Sequence, residues 1–420
     1  MPVPRVEGFA ARQAALRMLD SVLRRGETLA SATSAGRWLA PADQALAVAI
    51  AGETLRRLPD LDDWIDSATQ RPLPDDSKAR MVLRIALAQK IGLNTPDHAV
   101  VATALPQVEG GPRRLVHGVL GTLLRGVIPE MGPPRLPPAV ELRWAAQWGP
   151  ETVVAARRQI ATRPALDLSF ASNDAAGDFA EGTGGKHLAD RSVRIDSSKV
   201  AELPGFGEGG WWVQDLAASL PARLFPAGTG PVLDLCAAPG GKTMQLAAAG
   251  HDVTAVDLSP ERLERLSDNL SRTGLKARLV TGDALLWKPA AAPVAILLDS
   301  PCSATGTFRR HPEVLYRARP SIIEQSTHLQ ARLLDRSARW LEPGGTLVYA
   351  VCSLERAEGE AAIAAFLGRN SGFRIDPPKP GELPDFVPVA SEGWVRILPG
   401  LLDAEGGLDG FFIARLVRDA

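Results

Sequence analysis

The chain reads as a multidomain protein with an all-α N-terminal bundle, a small α+β linker subdomain and a doubly wound α/β domain. Three observations predict this. Apolar residues recur every three or four positions through much of residues 10–125. A proline-rich stretch, GPPRLPP at 132–138, interrupts that rhythm. From about residue 213, short apolar runs alternate with helix-length segments, the pattern of a parallel sheet covered by helices on both faces. The expected boundaries are 1–130, 131–212 and 213–420.

The helical third begins with Ala14, Ala15, Met18, Leu19, Val22 and Leu23 on one stripe, and the same spacing returns at 44–58, 78–91 and 114–125. Pro41–Ala42–Asp43 and Thr95–Pro96–Asp97 are helix-start punctuation. His98 and His117 stand without partners, so no catalytic constellation is expected there. Arg12, Arg17, Arg24 and Arg25 fit either a phosphate-binding face or an ordinary solvated one. Past the linker, 143–160 reads as helix. Residues 165–213 carry short alternating runs such as ALDLSF and SVRID, which suit a small α+β unit. Trp211–Trp212 fit base stacking or, more commonly for aromatics, a packed core.

In the C-terminal half, strands are expected at 232–235, 252–257, 278–280, 294–298 and 346–351, with helices between them. Asp234, Asp257, Asp283, Asp299 and Cys352 all fall at or near strand ends, where an open α/β sheet binds its ligands. After the first strand comes CAAPGGKT at 236–243. A phosphate loop of Walker type needs Gly where Cys236 stands, and the dinucleotide G-x-G-x-x-G is absent. A tight turn remains, bringing a cofactor toward N–H groups at a helix start. Asp257 is placed for a ribose diol and Asp283 for an adenine amine. After the fourth strand, DSPCSATGTFRRHP at 299–312 sets a carboxylate three residues from a thiol. Taken alone, this is either a chemical pair or a loop-capping Asp beside a buried Cys.

Composition limits the classes. At 420 residues with 45% hydrophobic content, the chain can bury sizeable cores. Its net charge of −1 means that a nucleic-acid surface has to be a local patch. No leader pattern and no apolar stretch near the ~18 residues of a bilayer span are present, so a cytoplasmic protein without membrane contact is expected. Three cysteines, Cys236, Cys302 and Cys352, form no C-x-x-C pair; neither a disulfide framework nor a metal site is expected.

At DLCAAPGGKT (234–243), DSPCSATGTFRRHP (299–312), YAVCS (349–353), DGFFIAR (409–415) and VQDLAASL (213–220), the sequence resembles the RNA cytosine-5 methyltransferases of the Nol/Nop/Sun family. The bundle is similar to the antitermination-factor-type RNA-binding domain, through QALAVAIAGETLRRLPDLDDWI, VLRIALAQ and TPDHAVV. Together they resemble the bacterial 16S ribosomal RNA members of Sun type. The resemblance implies a class I methyltransferase domain, S-adenosyl-L-methionine as cofactor and RNA as partner; a monomer is expected. It implies cofactor contacts at Asp234, Cys236, Ala237, Ala238, Pro239, Gly240, Gly241, Lys242, Asp257, Arg262, Asp283 and Asp299. The family pattern usually has Ala at Ser300 and Gly at Ala304, small changes that keep the turn.

The implied chemistry follows from cytosine C5 being a poor nucleophile, so that a thiolate must first add to C6. By resemblance that thiolate is Cys352, Asp299 hydrogen-bonds the ring at N3 and the exocyclic amine, acting in protonated form, and Cys302 assists release. DNA cytosine-5 methyltransferases use the Cys of a Pro-Cys motif instead, which would make Cys302 the nucleophile; the second Cys favours the RNA family. The basic run Arg309, Arg310 and His311 is expected to hold phosphates, and Cys236 to be a small buried hydrophobe. Competing readings are a non-catalytic RNA-binding scaffold, a nucleotide hydrolase, and methylation of another RNA such as tRNA.

Overall fold

The computed structural model describes residues 6–419 apart from 198, 227 and 229. The chain forms two compact units. One runs to Arg163 and takes in Phe308–Ala318; the other comprises Pro164–Thr307 and the chain from Arg319 onward.

The first unit is helical. Its main helices are Phe9–Arg25, Pro41–Arg56, Leu58–Ser67, Lys78–Gly92, Asp97–Ala104, Gly110–Arg125, Pro138–Trp148 and Pro150–Ala161. The apolar stripes read from the sequence build two cores: Met18, Leu19 and Val22 against Ile50, Leu55 and Ile85, and Trp64 and Ile65 against Leu83, Leu87, Val116 and Leu120. The proline-rich stretch lies inside this unit. Arg135 fastens it to the helix Leu58–Ser67 through its N–H and Nε, both donating to Asp60.

Two expectations about arginines change here. Arg12 is buried and donates through Nε to Gln89 Oε1 at 2.7 Å, so it leaves the proposed phosphate face, while Arg17 stays exposed. Arg309 is only 1% exposed, its neighbour Phe308 packing edge-on against Trp144 at 5.4 Å. A guanidinium that deep does not meet a phosphate, so the expected RNA contact at Arg309 is corrected to a packing role. Arg310 and His311 do face solvent. The rest of the segment is anchored in this unit: the Leu29 N–H donates to Glu313 Oε1 (3.1 Å), the Tyr316 hydroxyl to the Leu55 carbonyl (2.8 Å) and Arg317 Nε to the Gly26 carbonyl (2.7 Å).

The second unit opens with an antiparallel sheet of β1 (Leu166–Phe170), β2 (Lys186–Ala189), β3 (Ser192–Ile195) and β4 (Trp211–Val213), in the order β2-β3-β1-β4, with the helix Asn173–Thr183 on it. Trp211 and Trp212 are buried, Trp211 among Phe179 and Phe206, which assigns them to the core and not to a stacking surface.

The large sheet contains β5 (Pro231–Leu235), β6 (Asp252–Asp257), β7 (Arg278–Thr281), β8 (Ala295–Asp299), β9 (Thr346–Val351), β10 (Phe373–Ile375), β11 (Val395–Ile397) and β12 (Phe411–Arg418). The order is β10-β12-β9-β8-β5-β6-β7, with β11 on β12. The five expected strands pair in parallel, and β5, β8 and β9 are almost wholly buried, as strands covered on both faces should be. The last three strands run antiparallel to their partners, so the sheet is mixed where the sequence reading had only parallel strands. Strand order reverses between β5 and β8, and the crevice at that switch point takes the ends of both.

A buried ion pair crosses two strands of the smaller sheet and reaches the helix that follows it. Arg194 on β3 stands opposite Asp167 on β1 and grips it with Nε (2.6 Å) and Nη2 (2.8 Å). Asp167 Oδ2 also accepts the Leu216 N–H, which starts the helix Leu216–Arg223. Removing one partner leaves a buried charge uncompensated. Arg194→Ala should cost about 3–5 kcal/mol in chemical denaturation of the full chain; a loss under about 1 kcal/mol would class the pair with surface bridges.

Candidate active site

Four carboxylates and three thiols gather around the ends of β5, β6, β7, β8 and β9. Asp234 lies near the end of β5, is fully buried, and accepts the Thr243 hydroxyl at 2.5 Å on Oδ2; its Oδ1 has no partner among the described residues. Burial, followed by Asp299 and Asp257, raises its pKa against the opposing pull of Thr243 and Lys242, to about 7.

The turn after β5 is held by its own backbone. Ala237 N–H donates to the Val256 carbonyl (3.2 Å) and Ala238 N–H to Asp257 Oδ2 (3.0 Å), so both groups fasten β5 to β6. The helix Gly241–Ala248 starts directly after this turn, with the free N–H groups of a helix start facing away from the strands' ladder. Gly240 has φ 103°, and a Cβ there would lie 2.0 Å from Leu266 Cδ1, which excludes any other residue. Cys236 takes φ 60°, rare for a residue with a side chain. Its thiol is pushed up to about 12 by burial and by Asp299, Asp257 and Asp234, so it stays protonated, in keeping with a packed, unreactive side chain.

Asp257 closes β6. Its Oδ1 accepts the Ser259 N–H at 3.0 Å, and Arg262 lies beside it, with Nη1 3.6 Å from Oδ2 and Nη2 on the Ala238 carbonyl. Asp283 follows β7 and accepts the Leu285 N–H. Pro239 completes the turn between Ala238 and Gly240.

Lys242 joins the two expected residue sets. It is 8% exposed, and its Nζ donates to Asp299 Oδ2 at 2.7 Å while lying 5.3 Å from the centre of the Phe411 ring. Burial alone would lower its pKa; attraction to Asp299, the hydrogen bond, and the charges at Cys352 and Asp234 outweigh it, and the net shift is upward. Lys242 is thus a fixed ammonium.

Two of the thiols meet. Cys302 Sγ and Cys352 Sγ are 3.5 Å apart, each partly buried in a loop leaving β8 or β9. The Cys302 pKa is held well above normal by the hydrogen bond to Cys352, then by burial and by the Cys352 and Glu358 charges. Either sulfur can donate in this contact.

The loops are braced by residues the sequence reading did not single out. Buried Glu358 accepts the Ser303 N–H (2.8 Å), the Ser303 and Ser353 hydroxyls, and Gln330 Nε2 (3.3 Å). Burial raises its pKa while the serine donors pull it down, with a net upward shift. Arg396 on β11 donates to the Ser353 carbonyl and grips Glu360 with both arms. Gly306 N–H donates to the Cys352 carbonyl (3.0 Å), and a Cβ on Gly306 would strike the Gly410 carbonyl oxygen at 2.0 Å. In the sequence Glu358 is one of several acids within Leu354–Glu360 (LERAEGE), with no spacing that marks it out.

The residue set fits S-adenosylmethionine. Four carboxylates stand against two cations, Lys242 and Arg262, and one buried carboxylate oxygen is unpartnered, which suits a ligand carrying a sulfonium and an ammonium.

The raised Asp234 has a consequence for stability. Between the usual carboxylate range near pH ~4 and pH ~7 the folded chain keeps a proton that the unfolded chain has lost, so stability falls as pH rises across that window. Asp234→Asn should flatten this slope by on the order of a few kcal/mol, read as the variant-minus-wild-type difference in melts at stepped pH. Parallel curves would place Asp234 in a more polar setting.

The chain matches the family model described as 16S rRNA methyltransferase RsmB/F over residues 222–417, and that of the NusB family over residues 10–125. It is 34% identical to the ribosomal RNA small subunit methyltransferase B of Xylella fastidiosa (strain Temecula1), covering 98% of this chain and 99% of the relative. It is 32% identical to the protein of the same name from Erwinia tasmaniensis, covering 96% and 97%. The crystal structure of PH0851 has the same fold, with a TM-score of 0.74 at 22% identity and full coverage of both chains. With its nucleoside crevice, paired thiols and helical first unit, the chain belongs to the RsmB/F family of 16S rRNA methyltransferases.

Proposed function

We propose that this protein methylates C5 of a cytosine in 16S ribosomal RNA through a covalent adduct on Cys352, acting in the cytoplasm as a metal-independent monomer. The observation that carries the reading is the 3.5 Å contact of Cys302 and Cys352 in the same crevice as the Lys242–Asp299 pair. Bound S-adenosylmethionine supplies an electrophilic methyl group. The names of the relatives support ribosomal RNA as the substrate. No helix among the described residues is long and apolar enough to cross a membrane.

Each residue's part follows from its surroundings. Cys352, in the field of the Lys242 ammonium and in contact with Cys302, adds as a thiolate to C6 and leaves C5 enamine-like. Asp299, ion-paired but with 30% of its side chain exposed, accepts a hydrogen bond from the exocyclic amine of the ring. After methylation the C5 proton passes to a water molecule, the C–H electron pair forms the C5=C6 double bond, and the C6–S bond breaks. Cys302, 3.5 Å away and held as a thiol, hands its proton to the leaving sulfur. Such chemistry needs an unstacked base, so the target lies in a loop or an opened helix.

Cys352→Ala should abolish both methylation and adduct formation, whereas Cys302→Ala should accumulate a covalent protein–RNA complex resistant to denaturing electrophoresis. A stable complex from the Cys352 variant would exchange the roles. Bisulfite mapping of ribosomal RNA from cells with and without the gene identifies the cytosine, and an unchanged 16S map overturns the substrate. Of the basic run, exposed Arg310 is the residue left to meet phosphate with His311 beside it; Arg310→Ala should reduce the salt slope of RNA binding by about 1. An unchanged slope removes it from the interface.

A further inference from the structure

We propose that Glu358 is a positioning residue for the reaction, a buried carboxylate that clamps the Cys302 loop to the Cys352 loop and so sets the distance between the two thiols. The proposal rests on the two-cysteine reading above.

The geometry is specific. Glu358 lies in the turn before the helix Glu360–Arg369 and is fully buried. Its Oε1 takes the Ser303 N–H, in the residue after Cys302, and Gln330 Nε2; its Oε2 takes the hydroxyls of Ser303 and Ser353, the residue after Cys352. One carboxylate therefore holds the residue after each cysteine. Those serine hydroxyls are 3.2 Å apart, so the carboxylate closes a three-member ring with them.

The supports around the ring work through the same residues. Gln330 Nε2 also donates to the Pro301 carbonyl (3.0 Å), immediately before Cys302. Thr305 Oγ1 accepts the Leu354 N–H (2.9 Å), and the Tyr349 hydroxyl donates to the Glu358 carbonyl (2.7 Å), fixing the turn to β9. The donors reaching the carboxylate come from the residue after each thiol and from Gln330, which also holds the carbonyl of the residue before Cys302. A buried carboxylate is costly unless such donors satisfy it, and an apolar side chain would fill the space at lower cost. What the carboxylate adds is a side-chain tie between two loops whose main chains are joined beyond the strand ends by the Gly306 N–H to Cys352 carbonyl bond (3.0 Å).

The chemistry shows why this distance matters. Proton transfer between Cys302 and the leaving Cys352 sulfur needs contact, and a misplacement near 1 Å can cost about 10²-fold. In Glu358→Ala, kcat should fall roughly 10- to 100-fold while KM for RNA and for S-adenosylmethionine stays within about twofold. Glu358→Gln, which keeps the shape and one acceptor oxygen, should fall between.

A second readout involves no methyl transfer. Diamide oxidises two apposed thiols to a disulfide, taking up the two electrons and two protons. Wild-type protein without RNA should form the Cys302–Cys352 bond, mapped by mass spectrometry, about tenfold faster than Glu358→Ala. If cross-linking slows as expected but Cys352→Ala remains active, the clamp stands and the two-cysteine chemistry falls. The clamp is overturned if both variants cross-link and turn over like wild type. It is equally overturned if their losses only track a fall in melting temperature and in cofactor affinity.

Discussion

The register in which β8 pairs with β5 on one side and β9 on the other is the constraint on which the site depends. Leu235 pairs with Leu298 and Asp299 with Ala350, and the ladder ends where Ser300 N–H donates to the Ala350 carbonyl. These pairings bring the Gly-rich turn, Asp299, Cys302 and Cys352 out of the sheet at one level. A slip of one residue would turn each strand's side chains to the opposite face. The near-continuous burial of the three strands makes that slip prohibitive, because it would break apolar packing on two helical layers at once.

Upon that frame, charge is arranged with economy. Carboxylates outnumber cations in the crevice, and the one fully enclosed cation, Lys242, is placed where it compensates Asp299 and also faces Cys352. Buried ion pairs seldom contribute much net stability, since desolvation offsets their attraction. Here the pair fixes a carboxylate at the end of β8 and an enclosed ammonium on the side of the crevice that holds Cys352. The thiol of Cys302 is pushed up by its hydrogen bond to Cys352, then by burial and by the Cys352 and Glu358 charges. The difference between the cysteines is thus a matter of neighbours.

The C-terminal strands explain why DGFFIAR belongs to the site although it carries no group that reacts. Through β12 it closes the edge of β9, placing Phe411 against the Lys242 ammonium and Gly410 against Gly306. Arg396 on neighbouring β11 reaches back to the Ser353 carbonyl. An antiparallel extension thereby braces loops that a parallel sheet alone would leave open.

Residue order alone determined the layered α/β architecture, the strand ends and most of the crevice. Apolar runs stopped by Asp, Gly or Pro report a buried strand and its loop whatever surrounds them, so Asp234, Asp257, Asp299, Cys302 and Cys352 were legible. Side-chain direction was not. Arg309 and Arg310 are adjacent and chemically identical, yet one is buried beside Phe308 and the other is exposed, and Arg12 turns inward to Gln89. Only packing decides between neighbours in such a run. The strands after Cys352 are separated by loops from the βα rhythm, and β10 and β11 are three residues long, too short for periodicity to show. Glu358 and Glu355 read alike in the chain. The first became the brace of the site because folding carried its carboxylate to donors from Ser303 and Gln330, partners 55 and 28 residues away.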